Sequence, residues 1–541
     1  MRIGVAAVWA CATALGAAAV ESFNETLDLH TLPGGRVHAA FSFAMHSDDE
    51  SLRHFRILPR ALLQPVASLD VDAFQLTLTA GRWQYASWGA PAGSQSVANG
   101  AEVWASFGDA HQSAALPLAT RWRRLTSALA GTFCASLDAI EEKTSVTIPA
   151  RYVWSDAPEN TTALHAYLPS ESVCTENLTP LLKLLPCKGG AGLASLIQMH
   201  TILSSEFHSV SVQVRRAGQG YTVVLGVTAV MRPPTLPDET QVWTLPDLFA
   251  RNLTTTCPVA NTSEVWVVEP NERAASDDDD DDDDWVPSPW MQRMQTRVYD
   301  TTSLAPYDGT LALSMTAPVR GPFLQAPPLQ ATRQVLGFGQ ERNLVRLTLH
   351  NALPTETVQV VYYDQIPWKV LPLMHTLHTS LAFDPADLPE DAVSYRDDYD
   401  APFVTASTYR PAVLRGRTGA VELVLRVPAQ STLTVTYTLL KRVLHYDEHV
   451  PDPHRGIDLP PAMFVPLATA HPTRAWAYAH RHRPVHAVQA DRIYTPPSLL
   501  DIAVPDFSMP YNIILFYSTY VALFFGSMLN AMVRRFHDVV V

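Results

Sequence analysis

The residues best suited to chemistry are five cysteines, Cys11, Cys134, Cys174, Cys187 and Cys257. A nucleophilic cysteine needs a nearby base and donors for an oxyanion, and no local motif around any of the five supplies them. Cys134 falls on a predicted helix beside its apolar face, which predicts a buried thiol. Cys174 and Cys187 flank a stretch containing Asn177, Thr179 and Pro180. There is no Gly-x-Ser-x-Gly elbow, phosphate loop or His-Glu-x-x-His pair. Gly337-Phe338-Gly339 begins like a dinucleotide fingerprint, but Arg342 takes the third glycine's place.

Two histidine-rich stretches offer metal ligands by type but not by arrangement. His445, Asp447, Glu448, His449 and His454 are interrupted by Pro451 and Pro453, which break any helix that would align two imidazoles. They read as a polar strand end and loop. His471, His480, His482 and His486 sit among Pro472, Arg474, Arg481, Arg483 and Pro484 and read as a solvated or partner-facing loop. The eight carboxylates of Asp277–Asp284 repel one another and lack turn residues to converge their oxygens on calcium. No catalytic set, metal or cofactor is expected.

The elements that would position these residues are mostly strands. Phe74, Leu76 and Leu78 alternate with polar residues, as do Val210, Val212 and Val214, and Leu433, Val435, Tyr437 and Leu439. Similar runs occupy 37–43, 221–231, 344–349, 358–363 and 421–427. A period of two with one wet face predicts antiparallel, half-solvated sheets. Trp122, Leu125, Leu129, Phe133, Leu137 and Ile140 recur at three- and four-residue spacing, which predicts a helix from about Thr120 to Glu142. A shorter helix is predicted over Pro59–Leu69, with Pro65 limiting it. Trp83, Tyr85, Trp88 and Trp104 read either as a core corner or as a contact surface. The fold class expected is mainly β, with β-sandwich-like domains, a few helices and one C-terminal transmembrane helix.

At 541 residues the chain exceeds one domain, and 47% hydrophobic content supplies a sizeable core. Proline outnumbers glycine 42 to 24, which favours extended segments and rigid loops. The net charge is −14, eight of it in the Asp run, so a nucleic-acid binder is excluded for want of a basic stripe.

Both ends predict a secretory membrane protein. Arg2, the apolar run Ile3–Val20 and the small residues Ala17–Ala19 read as a signal peptide over 1–19. Tyr511–Val533 holds no charged residue and no histidine over 23 residues, about 35 Å of helix, enough to cross a bilayer. Arg534 and Arg535 follow, which puts the tail 534–541 in the cytosol and the bulk of the chain on the lumenal side. Five sequons, Asn24, Asn160, Asn177, Asn252 and Asn261, are candidate glycosylation sites, with Pro180 positioned to hinder transfer at Asn177. Cys11 leaves with the signal, and four cysteines remain in an oxidising compartment. Three internal pairings are open; the alternative is that one cysteine bridges to another chain. The Asp run, with Pro287 and Pro289 after it, marks the expected boundary. This gives an N-terminal β-rich domain with helices over 20–276, an acidic linker or loop over 277–290 and a C-terminal sandwich-like domain over 291–505.

Several segments carry a family resemblance. They include Gly81-Arg82-Trp83 with Trp88-Gly89, Gly100-Ala101-Glu102 with Trp104, and Phe133-Cys134-Ala135-Ser136-Leu137. Most specific are Val173-Cys174-Thr175-Glu176-Asn177-Leu178-Thr179-Pro180 through Cys187, and Pro505-Asp506-Phe507-Ser508-Met509-Pro510-Tyr511-Asn512. Cys257-Pro258, Ile366-Pro367-Trp368 and Pro451-Asp452-Pro453 add to them. Together they resemble the T-subunit family of the glycosylphosphatidylinositol (GPI) transamidase over nearly the whole chain. The Asp run and 379–410 match poorly, and the run looks like a local insertion.

The resemblance implies a non-catalytic scaffold in the endoplasmic reticulum membrane. It would hold a caspase-like catalytic subunit within a multi-subunit complex that joins precursor proteins to a GPI lipid. Cys174 matches the family's interchain disulfide cysteine, and Asn160 a sequon the family uses. Cys134, Cys187 and Cys257 are then left for one internal bridge of unassigned pairing. Gly526 and Asn530, with Ser518, Thr519 and Ser527, suit contacts to neighbouring helices. The readings that compete with the scaffold are a secretory hydrolase and a single-pass adhesion or receptor ectodomain.

Overall fold

The computed structural model describes residues 21–504 and 508–539 apart from internal gaps. The longest gaps are 49–56, 109–115, 271–293, 303–314, 319–328, 384–402 and 468–491. The predicted signal peptide, the Asp run and the second histidine group lie outside the described residues.

The N-terminal lobe contains β1 (Glu21–Leu32), β2 (Arg36–Ser47), α1 (Arg60–Ser68), β3 (Val71–Ala80), α2 (Tyr85–Trp88), β4 (Gly100–Phe107), α3 (Leu118–Phe133), β5 (Val146–Pro149) and β6 (Thr162–Leu168). It continues with α4 (Thr175–Leu184), α5 (Met199–Leu203), β7 (Phe207–Ala217), β8 (Gly220–Met231), β9 (Thr240–Trp243), α6 (Leu245–Phe249), β10 (Thr262–Pro270), β11 (Met294–Asp300) and β12 (Met315–Pro318). Ten of the strands form one sheet in the order β11-β10-β1-β2-β8-β7-β3-β4-β6-β5. Its neighbours are antiparallel except the parallel pair β1–β10. Alternation places Leu27, Leu29, Phe41, Phe43, Phe74, Leu76, Leu78, Val212 and Leu225 on one face, packed against Leu62, Leu63 and Val66 of α1, Trp122, Leu125 and Leu129 of α3, and Leu178 and Leu181 of α4.

The C-terminal lobe is a sandwich of β13 (Leu329–Leu336), β14 (Arg342–Asn351), β15 (Val358–Ile366), β16 (Val370–Phe383), β17 (Val404–Arg410), β18 (Gly419–Val427), β19 (Ser431–Lys441), β20 (Ile457–Leu459), β21 (Met463–Pro466), β22 (Ile493–Tyr494) and β23 (Ser498–Leu500). One layer runs β13-β14-β19-β16 and the other β17-β18-β15-β21-β22. Leu433, Val435, Tyr437 and Leu439 point inward against Val360, Tyr362, Leu423 and Leu425, as the alternating sequence requires. Inside this core Arg333 donates to Asp364 at 2.8 Å and to the Pro460 carbonyl at 2.6 Å, and both charged side chains are wholly buried. Tyr362 donates to the other carboxylate oxygen at 2.7 Å. The last helix, α7 (Ser508–Val533), contains the apolar span Tyr511–Val533, and its side chains from Tyr511 onward are exposed.

The fold is mainly β with few helices and one C-terminal candidate membrane span. Four expectations change in detail. First, the layered sandwich is the C-terminal lobe; the N-terminal lobe is a ten-stranded sheet with α1, α3 and α4 on one face, a small β9–β12 sheet beside it and α2 on the other face. Second, the Asp run falls between β10 and β11, which are antiparallel neighbours, Glu264 opposite Asp300 and Pro270 opposite Met294. It therefore interrupts one sheet instead of separating two domains, and because β12 pairs with β9, the lobe boundary moves to between 318 and 329. A segment that cannot pack suits a surface loop as well as a linker, and composition does not distinguish them.

Third, the wide sheet is not half-solvated. Gln75, Thr77 and Thr79 alternate as expected, yet all three are buried. This second face meets the C-terminal lobe, where Trp104, Phe207 and Val230 pack with Val361, Tyr363, Met463 and Val465. Trp83 and Trp88 belong to the same junction, so the aromatic cluster is a core between lobes. Glu102 is buried there, accepting from Tyr494 Oη at 3.1 Å and lying 3.1 Å from His165 Nε2, while the His165 ring stacks on Trp104 at 3.9 Å. Fourth, the long predicted helix stops at Phe133. Leu137 and Ile140 remain buried, but from a 3-10 turn over Leu137–Ala139 and its C-cap. The apolar period persists after the helix has ended.

Candidate functional site

The helix stop builds the most distinctive surface among the described residues. Cys134 adopts a left-handed backbone, φ 52° and ψ 39°, and donates its N–H to the Ala130 carbonyl. Ala135 N–H closes on the same carbonyl at 3.3 Å, a wrap typical of helix C-termini, although glycine usually takes the left-handed position. The turn carries the Cys134 thiol outward, so it is free and exposed, contrary to the buried thiol expected from helical phase.

Cys174 lies at the start of α4, where its extended backbone (φ −136°, ψ 178°) makes it the N-cap. Its sulfur accepts the Asn177 N–H, and Asn177 Oδ1 accepts the Cys174 N–H at 2.7 Å, a reciprocal capping box. Asn177 Nδ2 then donates to the Phe133 carbonyl at 2.7 Å and reaches the Cys134 carbonyl at 3.5 Å. Ser136 N–H donates to Glu171 Oε1 at 3.1 Å, a second tie between the two segments. One buried amide therefore joins the end of α3 to the start of α4, with an exposed free thiol on each side. Val173, Leu178 and Leu181 anchor the assembly in the core.

The remaining cysteines pair with each other. Cys187 and Cys257 form a disulfide with Cα atoms 6.1 Å apart, closing a sequence separation of 70 residues. Beside it, Gly192 has φ +70°, and a Cβ there would lie 2.4 Å from the Glu25 carboxylate and 2.9 Å from Cys257 Cβ. Only glycine fits. Glu25 is itself buried and accepts from Ser263 at 2.7 Å; burial raises its carboxyl above the ordinary range, and hydrogen bonds from Ser263 and the Leu193 backbone offset part of that.

The other predicted site residues scatter. Asn160, Asn252 and Asn261 are exposed and Asn24 is half-buried. Asn177 is wholly buried with its amide committed, so a glycan on Nδ2 would displace the hydrogen bonds that hold the cap. The Asn177-Leu178-Thr179 sequon is thus at odds with a glycan in the folded chain. Gly526 and Asn530 lie exposed on α7. Around the first histidine group, Glu448 pairs with Arg415 and accepts from the His445 N–H, which holds the loop in shape. No group of three metal-ligating side chains occurs among the described residues. The only sequence signal for the Asn177 cap is Cys-x-x-Asn, a variant of the Ser/Thr-x-x-Glu/Gln box that is weak because cysteine seldom caps.

A known family covers both lobes and the membrane helix. The family described as "Gpi16 subunit, GPI transamidase component" matches residues 6–232 and 226–540. The chain belongs to the Gpi16 family. Among relatives, the human GPI-anchor transamidase component PIGT is 29% identical over 547 residues, covering 96% of this chain and 91% of the human protein. The GPI transamidase component GPI16 of Saccharomyces cerevisiae is 27% identical, covering 95% and 88%. Among solved structures, a collagen adhesin of S. aureus overlaps 89% of this Gpi16-family chain and 92% of its own at 6% identity, but its TM-score of 0.18 carries no argument.

Proposed function

We propose that this chain is the non-catalytic scaffold subunit of a GPI transamidase. It is a single-pass type I protein of the endoplasmic reticulum membrane with both lobes lumenal and the tail after α7 cytosolic. The observation that carries this reading is the family match along the whole chain. The geometry adds a means of attachment. Cys174 offers an exposed, unpaired thiol at the N-cap of α4, which suits a disulfide to a caspase-like catalytic subunit. Chemistry on the precursor and the GPI lipid is left to that subunit. Asn160, Asn252, Asn261 and Asn24 take glycans, and Gly526 and Asn530 face helices of the other membrane subunits.

The test is a membrane preparation run on gels with and without reductant, for wild type and Cys174→Ser. The expected result is a larger band in wild type that collapses on reduction, contains a caspase-like protease by mass spectrometry and is absent from Cys174→Ser. A wild-type chain that runs as a monomer in both lanes refutes the covalent link. If no transamidase subunit co-purifies either, the scaffold reading fails with it.

A further inference from the structure

A cavity of about 170 Å³ opens where the two lobes meet at the N-terminal end of α3. One wall is apolar: Leu118 and Trp122 from α3, Val146 from β5 and Leu164 from β6. The opposite wall belongs to the C-terminal lobe and carries Arg410 at the end of β17 and Arg417 in the turn to β18. The cleft is braced rather than loose. Arg410 donates to the Thr147 carbonyl, Thr418 N–H donates to the Lys143 carbonyl at 2.7 Å, and Arg415 of the same turn pairs with Glu448.

The electrostatics run against the chain's average. In a protein of net charge −14, neither Arg410 nor Arg417 forms an ion pair among the described residues. The same holds for Arg123 and Arg124, exposed on the first turns of α3. Leu118, in the lining, is 45% exposed, and Val413 and Leu414 of the loop between Arg410 and Arg417 are 54% and 51% exposed. Arg417, and the Arg410 donors not spent on the Thr147 carbonyl, lie without a carboxylate over a largely apolar floor, which matches a ligand that is anionic and apolar at once.

We propose that this inter-lobe cleft docks an acidic segment of a partner protein, presenting a side-chain carboxylate to Arg410 and Arg417 with an adjacent apolar side chain on Leu118 and Trp122. A bare phosphate would use the arginines and leave the floor unfilled. The proposal shares with the scaffold reading only the premise that partner proteins bind; it does not depend on Cys174.

The test uses the full-length chain in detergent and a terminally blocked, fluorescein-labelled Ser-Glu-Leu-Gly peptide, followed by anisotropy at low salt up to about 1 mM. Saturable binding is expected that weakens with salt and drops at least about tenfold for the Ser-Gln-Leu-Gly peptide and for Arg417→Ala. Arg417→Lys should recover part of it, and an unchanged circular dichroism melt shows that the variants fold. Absence of binding, equal binding of the Glu and Gln peptides, or indifference to Arg417→Ala overturns the proposal. Inorganic phosphate binding without peptide binding overturns it in favour of a phosphate-bearing ligand. Cys174→Ser must leave peptide binding intact while abolishing the reducible band, and Arg417→Ala must do the reverse for the band, so the two readings fail separately.

Discussion

Asn177→Ala should loosen the start of α4 selectively. The wholly buried side chain makes two short hydrogen bonds of 2.7 Å, one accepting from Cys174 N–H at the edge of the site and one donating to the Phe133 carbonyl inside it. Truncation leaves both backbone groups unpaired, at about 1–3 kcal/mol each. Alanine recovers roughly 0.7 kcal/mol through its better helix propensity. The Cys174 N–H sits at an exposed residue and can turn to water, so it takes the low end of that range, and the net loss is about 2–3 kcal/mol, borne by the first turn, because Leu178 and Leu181 still anchor the rest of the helix. Since each 1.4 kcal/mol is tenfold in an opening equilibrium, the Leu178 amide, bonded to the Cys174 carbonyl, should exchange roughly 30- to 150-fold faster. Hydrogen exchange read by mass spectrometry on a peptide covering 174–185 measures this. Thr179→Ala is the control: it deletes the sequon, an exposed bond to the Thr175 carbonyl and a weak 3.5 Å contact to Met199 Sδ, and should change exchange less than about threefold. An Asn177→Ala chain whose exchange matches wild type refutes the cap. Loss of one glycan's mass in Thr179→Ala refutes the burial of Asn177.

Two further outcomes follow from buried charge. Arg333→Met strands Asp364 in the sandwich core and should cost about 3–5 kcal/mol in urea unfolding, whereas Arg333→Met with Asp364→Leu should recover most of that; a double variant less stable than the single refutes the argument. Burial pushes the Asp28 carboxyl up to about 7, so between pH 4 and 7 the native state binds more protons than the unfolded chain and stability falls as pH rises. Asp28→Asn should remove that slope, a difference of up to about 4 kcal/mol. His38, pushed down to about 3 by burial and by the charge of His30, loses stability in the opposite direction below about pH 6.5, so the variant-minus-wild-type difference at each pH is the quantity to compare; a flat difference refutes the assignment to Asp28.

What the sequence makes legible is whatever depends on local period. Strands over 74–78, 210–214 and 433–439 follow from alternation because each strand pays for its apolar face against a neighbour that any sheet provides. The membrane helix follows because twenty-three uncharged residues admit few other fates. What stays hidden depends on contacts between distant positions. Gln75, Thr77 and Thr79 look like a wet face until a second lobe lies over them. Arg410 and Arg417 are unremarkable in sequence, and only the fold brings them to Leu118 across nearly 300 positions. The pairing of Cys187 with Cys257, rather than with Cys134, needs β1 and its Glu25 to hold the Gly192 loop against the bridge.

Helix α3 shows why the two surface features belong to one piece of architecture. Its 16 residues make a rod of about 24 Å, with its buried face fixed on the sheet. At its first turn Leu118 and Trp122 form the floor of the arginine cleft; at its last, Phe133 and Cys134 take the Asn177 amide. Continuing the helix through Leu137 and Ile140 would have kept both in phase and avoided a left-handed non-glycine residue, which costs about 1–2 kcal/mol. The chain stops instead at Cys134, and that stop brings Ser136 to Glu171 and the Cys134 carbonyl to Asn177. The strained turn is thus offset by bonds that lock the Cys174 cap in place, an expenditure of backbone energy at a surface position that packing alone does not require. On the proposed attachment, a partner tied to Cys174 would meet a surface whose other end, one helix away, carries Arg410 and Arg417.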